Sequence, residues 1–420
     1  FMESLLRIIK KCIPKRFFKT LQPLYHYILA LIAAVIYRFP SRQIRVLFIT
    51  GTKGKTSTAE LAVALLEAGG YSVALAGTLR FKIGNVSTPN TYHMTIPGRF
   101  FVQRFIRRAV DAKCDWVVIE MTSEGAVQYR HAFIDVDALI FTNLSPEHIE
   151  SHGSYENYVN AKLRIAKALA SSGKHRRILV ANASDKETPK FFSTASNAEH
   201  HPFSLADAKP YQIKNQGIDF TFKGVPIRAK LSGEFNLYNI LAAATFAEAI
   251  GININAIKDA LEAFSGIRGR VEKINEGQDF EAIVDYAHTP DSLESLYKAF
   301  THTKTICVLG SMGGGRDKWK RKSMAEIADR YCSSVILTNE DPCDEDPQSI
   351  VEDMRIHIKR APVRVIIDRR EAIHAALCEA KTGDAVLLTG KGTDPCIIGP
   401  NDSRIPWDEA TVVREELKKL

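Results

Sequence analysis

Residues 45–57 read RVLFITGTKGKTS, and AELAVALLEAGG follows at 59–70. The first six residues are apolar or β-branched with no alternation, the pattern of a strand buried on both faces. Two glycines then frame a short turn, and Lys55-Thr56-Ser57 opens a stretch of helix formers. Strand, glycine turn, Lys-Thr and helix together form a phosphate cradle. Backbone N–H groups and the helix N-terminus face an anion, the lysine reaches its outer phosphates, and the threonine hydroxyl offers an oxygen to Mg²⁺. Gly51, Thr52, Gly54, Lys55, Thr56 and Ser57 are the candidate contacts. The usual pattern has four residues between its glycines; here only Thr52 and Lys53 stand between Gly51 and Gly54.

Two further apolar runs end in polar groups. DWVVIE, 115–120, closes on Glu120 and leads into Met121-Thr122-Ser123-Glu124. DALIFTN, 137–143, closes on Asn143 and leads into Leu144-Ser145-Pro146-Glu147-His148. Parallel sheets bind ligands at the carboxyl ends of their strands, so the glycine turn, Glu120 and the 143–148 segment are expected to converge. Glu120 with Thr56 suits a hard, oxygen-seeking cation.

The chain has 420 residues, 45% apolar and 25% charged, which describes a folded protein of two or three domains rather than a disordered or disulfide-built one. Its net charge of +8 lies entirely in residues 1–45, where nine Lys/Arg face one acid, Glu3; the remaining residues are electrically balanced. A balanced body argues against nucleic-acid binding. Seven scattered cysteines, with no metal spacing, are expected to be reduced thiols of a cytoplasmic protein.

The basic arm has two apolar stretches. Leu5, Leu6, Ile8, Ile9, Cys12 and Ile13 recur at helical spacing before Pro14, and Leu24–Tyr37 follows Pro23 as a second, separate stretch too short to cross a bilayer comfortably. Two readings stay open for residues 1–44. They lie peripherally on the anionic inner face of the cell membrane, or they pack on the body or on a second copy of the chain.

Nine ordered strings resemble the Mur ligases, the ATP-dependent amide-forming enzymes of peptidoglycan precursor synthesis. They are TGTKGKTS (50–57), EMTS (120–123), FTNLSPEHIESHG (141–153), YVNAKLRIA (158–166), GEFNLYNILAA (233–243), GIRGRVEKI (266–274), DYAHTPDSL (285–293), GGGRDKWKR (313–321) and LLTGKG (387–392). The branch most resembled adds the third amino acid to a muramoyl dipeptide. The resemblance implies an α/β fold with a central P-loop-type ATPase domain of mostly parallel sheet at 45–267 and a Rossmann-like domain at 268–420, preceded by the helical arm read above at 1–44. It further implies ATP, two Mg²⁺ ions, a peptide acceptor, a free amino acid and an acyl-phosphate intermediate.

By the same resemblance, Lys55, Glu120, His148, Lys162 and Lys320 are catalytic, and Thr56, Glu120, His148 and a carbamylated Lys162 serve the metals. Asn143, Asn236, Asn239, Arg270 and Asp285 join the phosphate loop around the nucleotide. Thr95, Thr122, Ser123, His288, Arg316, Lys318, Asp341 and Asp394 face the substrates, and Lys318, Lys320 and Arg321 form a cationic cluster for the acyl phosphate.

Three departures stand out. Only about 45 residues precede the phosphate loop where the family carries a UDP-binding domain. Thr95-Ile96-Pro97 and Thr122-Ser123-Glu124 replace Thr-Thr-Pro and Ser-Ser-His. Asp-Asn-Pro-Arg, whose arginine grips diaminopimelate, is here Glu340-Asp341-Pro342-Cys343, and Gly-Lys-Gly-His-Glu is Gly390-Lys391-Gly392-Thr393-Asp394. A thiol cannot grip a carboxylate in two-point fashion, which disfavours diaminopimelate. The acids Glu340, Asp341, Asp344 and Asp394 would suit a cationic side chain. A folylpolyglutamate-synthase-like ligase, or a membrane-associated nucleotide-binding scaffold, are the alternative readings.

Overall fold

The computed structural model describes residues 15–420 apart from 93, 148, 215, 216, 316 and 317. The predicted helix at 5–13 and the site positions His148 and Arg316 therefore lie outside the described residues. The chain forms two compact units. One comprises the chain up to Asp207 with Tyr238–Ala260, and the other Ala208–Leu237 with Leu261–Leu420. The segment 208–237, expected above in the central domain, groups with the second unit.

Helix α1 runs unbroken from Lys15 to Ile36 with Pro23 inside it, so the stretch expected to begin after Pro23 starts earlier, at Lys15. A mid-helix proline removes one hydrogen bond and costs about 3 kcal/mol. The buried face of Ala30, Ala33 and Ala34 supplies the compensating packing against α3.

From there the first unit runs β1 (Arg45–Thr50), α2 (Lys55–Ala68), β2 (Val73–Ala76), β3 (Arg80–Ile83), β4 (Val86–Pro89), α3 (Arg99–Asp111), β5 (Trp116–Glu120), α4 (Ser123–Val127) and β6 (Ala138–Phe141). It continues with α5 (Ile149–His152), α6 (Tyr155–Ala170), β7 (Ile178–Asn182), α7 (Thr188–Thr194) and β8 (Glu199–Phe203). The eight strands form one sheet in the order β4-β3-β2-β5-β1-β6-β7-β8. Its body from β2 to β8 is parallel, and β3 and β4 add an antiparallel edge. β1 is central, which explains its continuous apolar run. The register pairs Ile49 with Glu120 and Thr50 with Phe141, so Glu120 at the end of β5 and Thr142-Asn143 just beyond β6 flank the point where the glycine turn begins.

The second unit contains a three-stranded antiparallel sheet, β9 (Tyr211–Lys214), β10 (Gly217–Phe222) and β11 (Val225–Ala229). Helix α8 (Glu234–Ala249) and helix α9 (Ile254–Ala263) follow in sequence, and their residues from Tyr238 to Ala260 belong to the first unit. A six-stranded sheet then assembles from β12 (Glu272–Ile274), β13 (Glu281–Asp285), β14 (Thr305–Leu309), β15 (Ser334–Leu337), β16 (Val363–Val365) and β17 (Ala385–Thr389), in the order β12-β13-β17-β14-β15-β16. It is parallel except for β12. The helices between its strands are α10 (Pro290–Ala299), α11 (Trp319–Tyr331), α12 (Pro347–Arg355) and α13 (Arg369–Glu379). β14 turns Cys307 and Leu309 into the core on one face and Ile306 and Val308 into the core on the other. Cys307 and Cys332 are joined by a disulfide, which corrects the expectation of free thiols throughout. Their sequence spacing carries no pairing signal; the pair forms because α11 returns the chain beside β14.

Candidate active site

The glycine turn is tight because two side chains fill the places where a Cβ would stand. At Gly51, φ +152°, a Cβ would lie 1.9 Å from Thr142 Oγ1; at Gly54, φ +80°, it would lie 2.2 Å from Asn239 Oδ1. Neighbouring groups brace the loop. Asn143 accepts from the Lys53 amide at 2.9 Å and returns its own amide to the Lys53 carbonyl at 3.2 Å. Thr52 Oγ1 lies 2.9 Å from the Tyr158 hydroxyl and accepts from the Ser145 amide at 3.0 Å. Lys53 pairs with Glu147 at 3.0 Å. Asn143 therefore holds the loop from behind.

Thr56 donates its hydroxyl to Glu120 Oε2 at 2.8 Å, bringing together the two oxygens proposed above for a hard cation. Thr78 holds both oxygens of Glu120: its amide donates to Oε1 at 2.7 Å and its hydroxyl to Oε2 at 3.0 Å. Burial raises the Glu120 pKa, opposed by these hydrogen bonds and by Lys55. Thr95 sits 3.0 Å from Thr78 and so joins the same chain of hydroxyls. Thr78 was not foreseen from sequence, yet Gly77-Thr78 follows β2 as Gly51-Thr52 follows β1, a signal at the same sheet edge.

Two lysines approach the loop. Lys55 Nζ donates to the carbonyls of Gly51 and Thr52 at 3.0 and 2.9 Å. Lys162, buried on α6, donates to the Gly51 carbonyl at 2.7 Å and the Thr50 hydroxyl at 3.3 Å. Desolvation first, and then the positive charge of Lys55, hold the Lys162 amine well below the ordinary lysine range. Thr122 caps α4 by accepting from Gly125 at 3.0 Å, and Ser123 Oγ lies 3.1 Å from His152 Nε2. Thr58 donates to Asn239 at 3.4 Å, and Asn236 donates to the Ser232 carbonyl at 2.8 Å.

Within the second unit, Asp285 accepts from the amides of Val271 and Ala287 at 2.8 and 2.7 Å. The Arg270 guanidinium lies 4.5 Å over the Tyr286 ring, and His288 Nδ1 is 2.7 Å from the Tyr286 carbonyl. The expected cationic cluster is largely neutralised. Arg321 is only 2% exposed and bonds Glu345 and Asp353, while Lys318 pairs with Glu345 at 2.8 Å. Lys320 is buried, and its charge acts on Glu340.

The expected acidic pocket is also mostly spent internally. Asp341 accepts from the buried Lys391 and from the Ile398 amide, each at 2.8 Å. Asp394 lies 3.4 Å from Lys391, and Asp344 accepts from the Asn401 amide at 2.7 Å. Glu340 differs: its Oε2 is buried with no hydrogen-bond partner among the described residues, in space left by Gly390. Burial lifts its carboxyl to about 7 against the pull of Lys320, Arg369 and Lys391.

Comparison with known proteins bears on this arrangement. The Mur ligase middle domain matches residues 49–247, and the Mur ligase glutamate ligase domain matches residues 269–392. A UDP-N-acetylmuramyl-tripeptide synthetase of Roseiflexus sp. strain RS-1 is 37% identical, covering 93% of this chain and 82% of that protein. A UDP-N-acetylmuramoyl-L-alanyl-D-glutamate--2,6-diaminopimelate ligase of Bacillus velezensis is 36% identical, covering 93% and 82%. A solved structure of a ligase of the latter name aligns with a TM-score of 0.63 at 28% identity, over 90% of this chain and 78% of that one. Mycobacterium tuberculosis folylpolyglutamate synthase with ADP aligns at 0.70 but only 18% identity, over 86% and 91%, a likeness of fold alone. The phosphate loop, its threonine–glutamate pair and these matches agree: the chain belongs to the Mur ligase family, within its muramyl-tripeptide synthetase branch, and is an ATP-dependent ligase of the Mur type.

Proposed function

We propose that the protein joins an amino acid to the terminal carboxylate of a muramyl-peptide precursor at the expense of ATP. The observation that carries this reading is the Thr56–Glu120 contact at the mouth of the phosphate loop, with Lys55 and Lys162 beside it. An acceptor carboxylate oxygen attacks the γ-phosphorus of ATP, the bond to the β-phosphate oxygen breaks, and ADP leaves. The amine of the incoming amino acid then attacks the acyl carbon, losing a proton as phosphate departs, and an amide remains.

On this chain the loop amides and Lys55 would hold the phosphates. Lys55 already bonds two loop carbonyls, so it reaches the phosphates by exchanging those acceptors for phosphate oxygens. Thr56 and Glu120 offer the oxygens that Mg²⁺ prefers, and the ion when bound would offset phosphate charge. Lys162 suits carbamylation, because its site favours the neutral amine, the form that adds CO₂. The carbamate would supply anionic oxygens where an ammonium beside Lys55 would repel a cation. Glu340, whose buried Oε2 has no hydrogen-bond partner among the described residues, is the acid assigned to the incoming amino acid. Cys343 in place of an arginine favours an amino acid without a distal carboxylate.

Phosphate release that requires both a UDP-muramoyl dipeptide and an amino acid supports this reading. Release indifferent to either one would point instead to an ATPase scaffold. A screen across amino acids in which diaminopimelate is the best substrate would refute the specificity.

We also propose that α1 touches the inner membrane surface. Leu24, Ile28, Leu31, Ile32, Val35 and Ile36 are between 38% and 59% exposed along the face turned away from α3, and the sequence before them is basic. No described helix is long and apolar enough to cross a membrane, so the contact is peripheral. Flotation with anionic liposomes should lift the full chain but not a form lacking residues 1–40. Equal flotation of both would exclude it.

A further inference from the structure

At the edge of the first unit's sheet opposite the phosphate loop lies a cavity of about 560 Å³, bounded by α1, the turn after it, the 129–135 segment and α6. That volume suits a small-molecule ligand. Its wall carries three cations against one acid. Arg42 faces Asp135 at 3.4 Å. Arg164 and Lys167, one turn apart on α6, are exposed and have no ion pair among the described residues.

The floor is aromatic. Tyr27 packs on Tyr129 and Phe133 with ring centroids 5.6 and 5.0 Å apart. The guanidinium of Arg164 lies 5.7 Å from the Tyr129 ring, and that of Arg42 lies 4.5 Å from Phe39. His131, only 9% exposed, lines the cavity with a buried Nδ1 that has no partner among the described residues.

Backbone strain gathers at the same place. Phe39, Tyr129 and Phe133 have φ of 47°, 58° and 60°, a left-handed region that side-chain-bearing residues rarely adopt. Three aromatic residues held in that conformation around one cavity suggest a built surface rather than a packing accident. Tyr27 also continues the uncovered apolar face of α1, with Leu24, Ile28 and Leu31 beside it. A hydrocarbon leaving the cavity along Tyr27 would thus meet apolar surface.

We propose that this cavity binds a phosphate ester of a hydrocarbon chain. Arg42, Arg164 and Lys167 meet the phosphate, and Tyr27, Tyr129 and Phe133 line the start of the chain. The phosphate could be carried by a bilayer lipid or by a free prenyl phosphate. The site lies away from the phosphate loop and stands independently of the ligase chemistry.

The test uses the full chain with the phosphate loop saturated by Mg·ADP. Farnesyl phosphate is titrated by calorimetry, and phosphatidylcholine vesicles with and without phosphatidic acid are used in flotation. Binding in at least one arm is expected, farnesyl phosphate marking a free ligand and phosphatidic acid a lipid headgroup. The R164Q/K167Q double variant should weaken that binding about tenfold or more, since charge-assisted hydrogen bonds are lost. R104Q, at an exposed position on α3, is the charge control and should leave binding unchanged. No binding in either arm, an equal loss in R104Q, or inorganic phosphate or UDP binding as tightly as farnesyl phosphate would overturn the proposal. The altered residues are solvent-exposed, and matching thermal melts confirm that each variant is folded.

Discussion

Glu340→Gln should make the protein more stable and less active, with a pH signature that separates this from an ordinary packing change. Burial raises the Glu340 carboxyl from 4.5 to about 7 in the folded chain. A group with the higher pKa when folded is protonated in the folded state and ionised in the unfolded state between these values. Stability therefore falls as pH rises from about 4.5 to about 7, and stays lowered above that. Glutamine keeps the shape and does not ionise, so it removes this loss. The shift corresponds to a gain about 2 to 3 kcal/mol larger at pH 8 than at pH 5. Urea unfolding of both proteins at the two pH values measures it directly. A stability difference equal at pH 5 and pH 8 would refute the assignment of a raised carboxyl. In the same variant, turnover should fall through a higher KM for the amino acid, with ATP binding preserved. Unchanged amino-acid dependence would remove Glu340 from the substrate site.

Two further outcomes follow from buried charges. Lys162→Ala should lose most ligase activity and recover part of it with added short carboxylates, measured as phosphate release; undiminished turnover would exclude a role for this amine. Arg369 is buried and bonds Glu409, the Asn339 carbonyl and the Thr389 carbonyl. Glu409→Gln should therefore cost about 3 to 5 kcal/mol by leaving a buried cation uncompensated, read from urea midpoints, and a cost below 1 kcal/mol would contradict that burial.

The phosphate loop was legible because its cause is local. An apolar strand, two glycines and a Lys-Thr helix start dictate backbone geometry within a dozen residues. Glu120 was legible for a related reason, since the carboxyl end of a buried strand in a parallel sheet faces the ligand edge whatever the rest of the chain does. The internal pairing of the acidic cluster at 340–394 is not legible in sequence, because charge in a sequence says nothing about pairing. Lys391 reaches Asp341 across 50 residues, while Glu340 Oε2 is buried with no hydrogen-bond partner among the described residues. Thr78 escaped notice because its role depends on β2 lying beside β5, a pairing that its neighbours in sequence do not reveal.

The arm shows the division most plainly. By itself the sequence determined its apolar content and its basic charge, because these follow from residue types alone. Tertiary structure decided that the helix passes through Pro23, which face is covered, and that its aromatic edge closes a cavity with α6. Those outcomes depend on packing between segments more than a hundred residues apart, and no local preference encodes them.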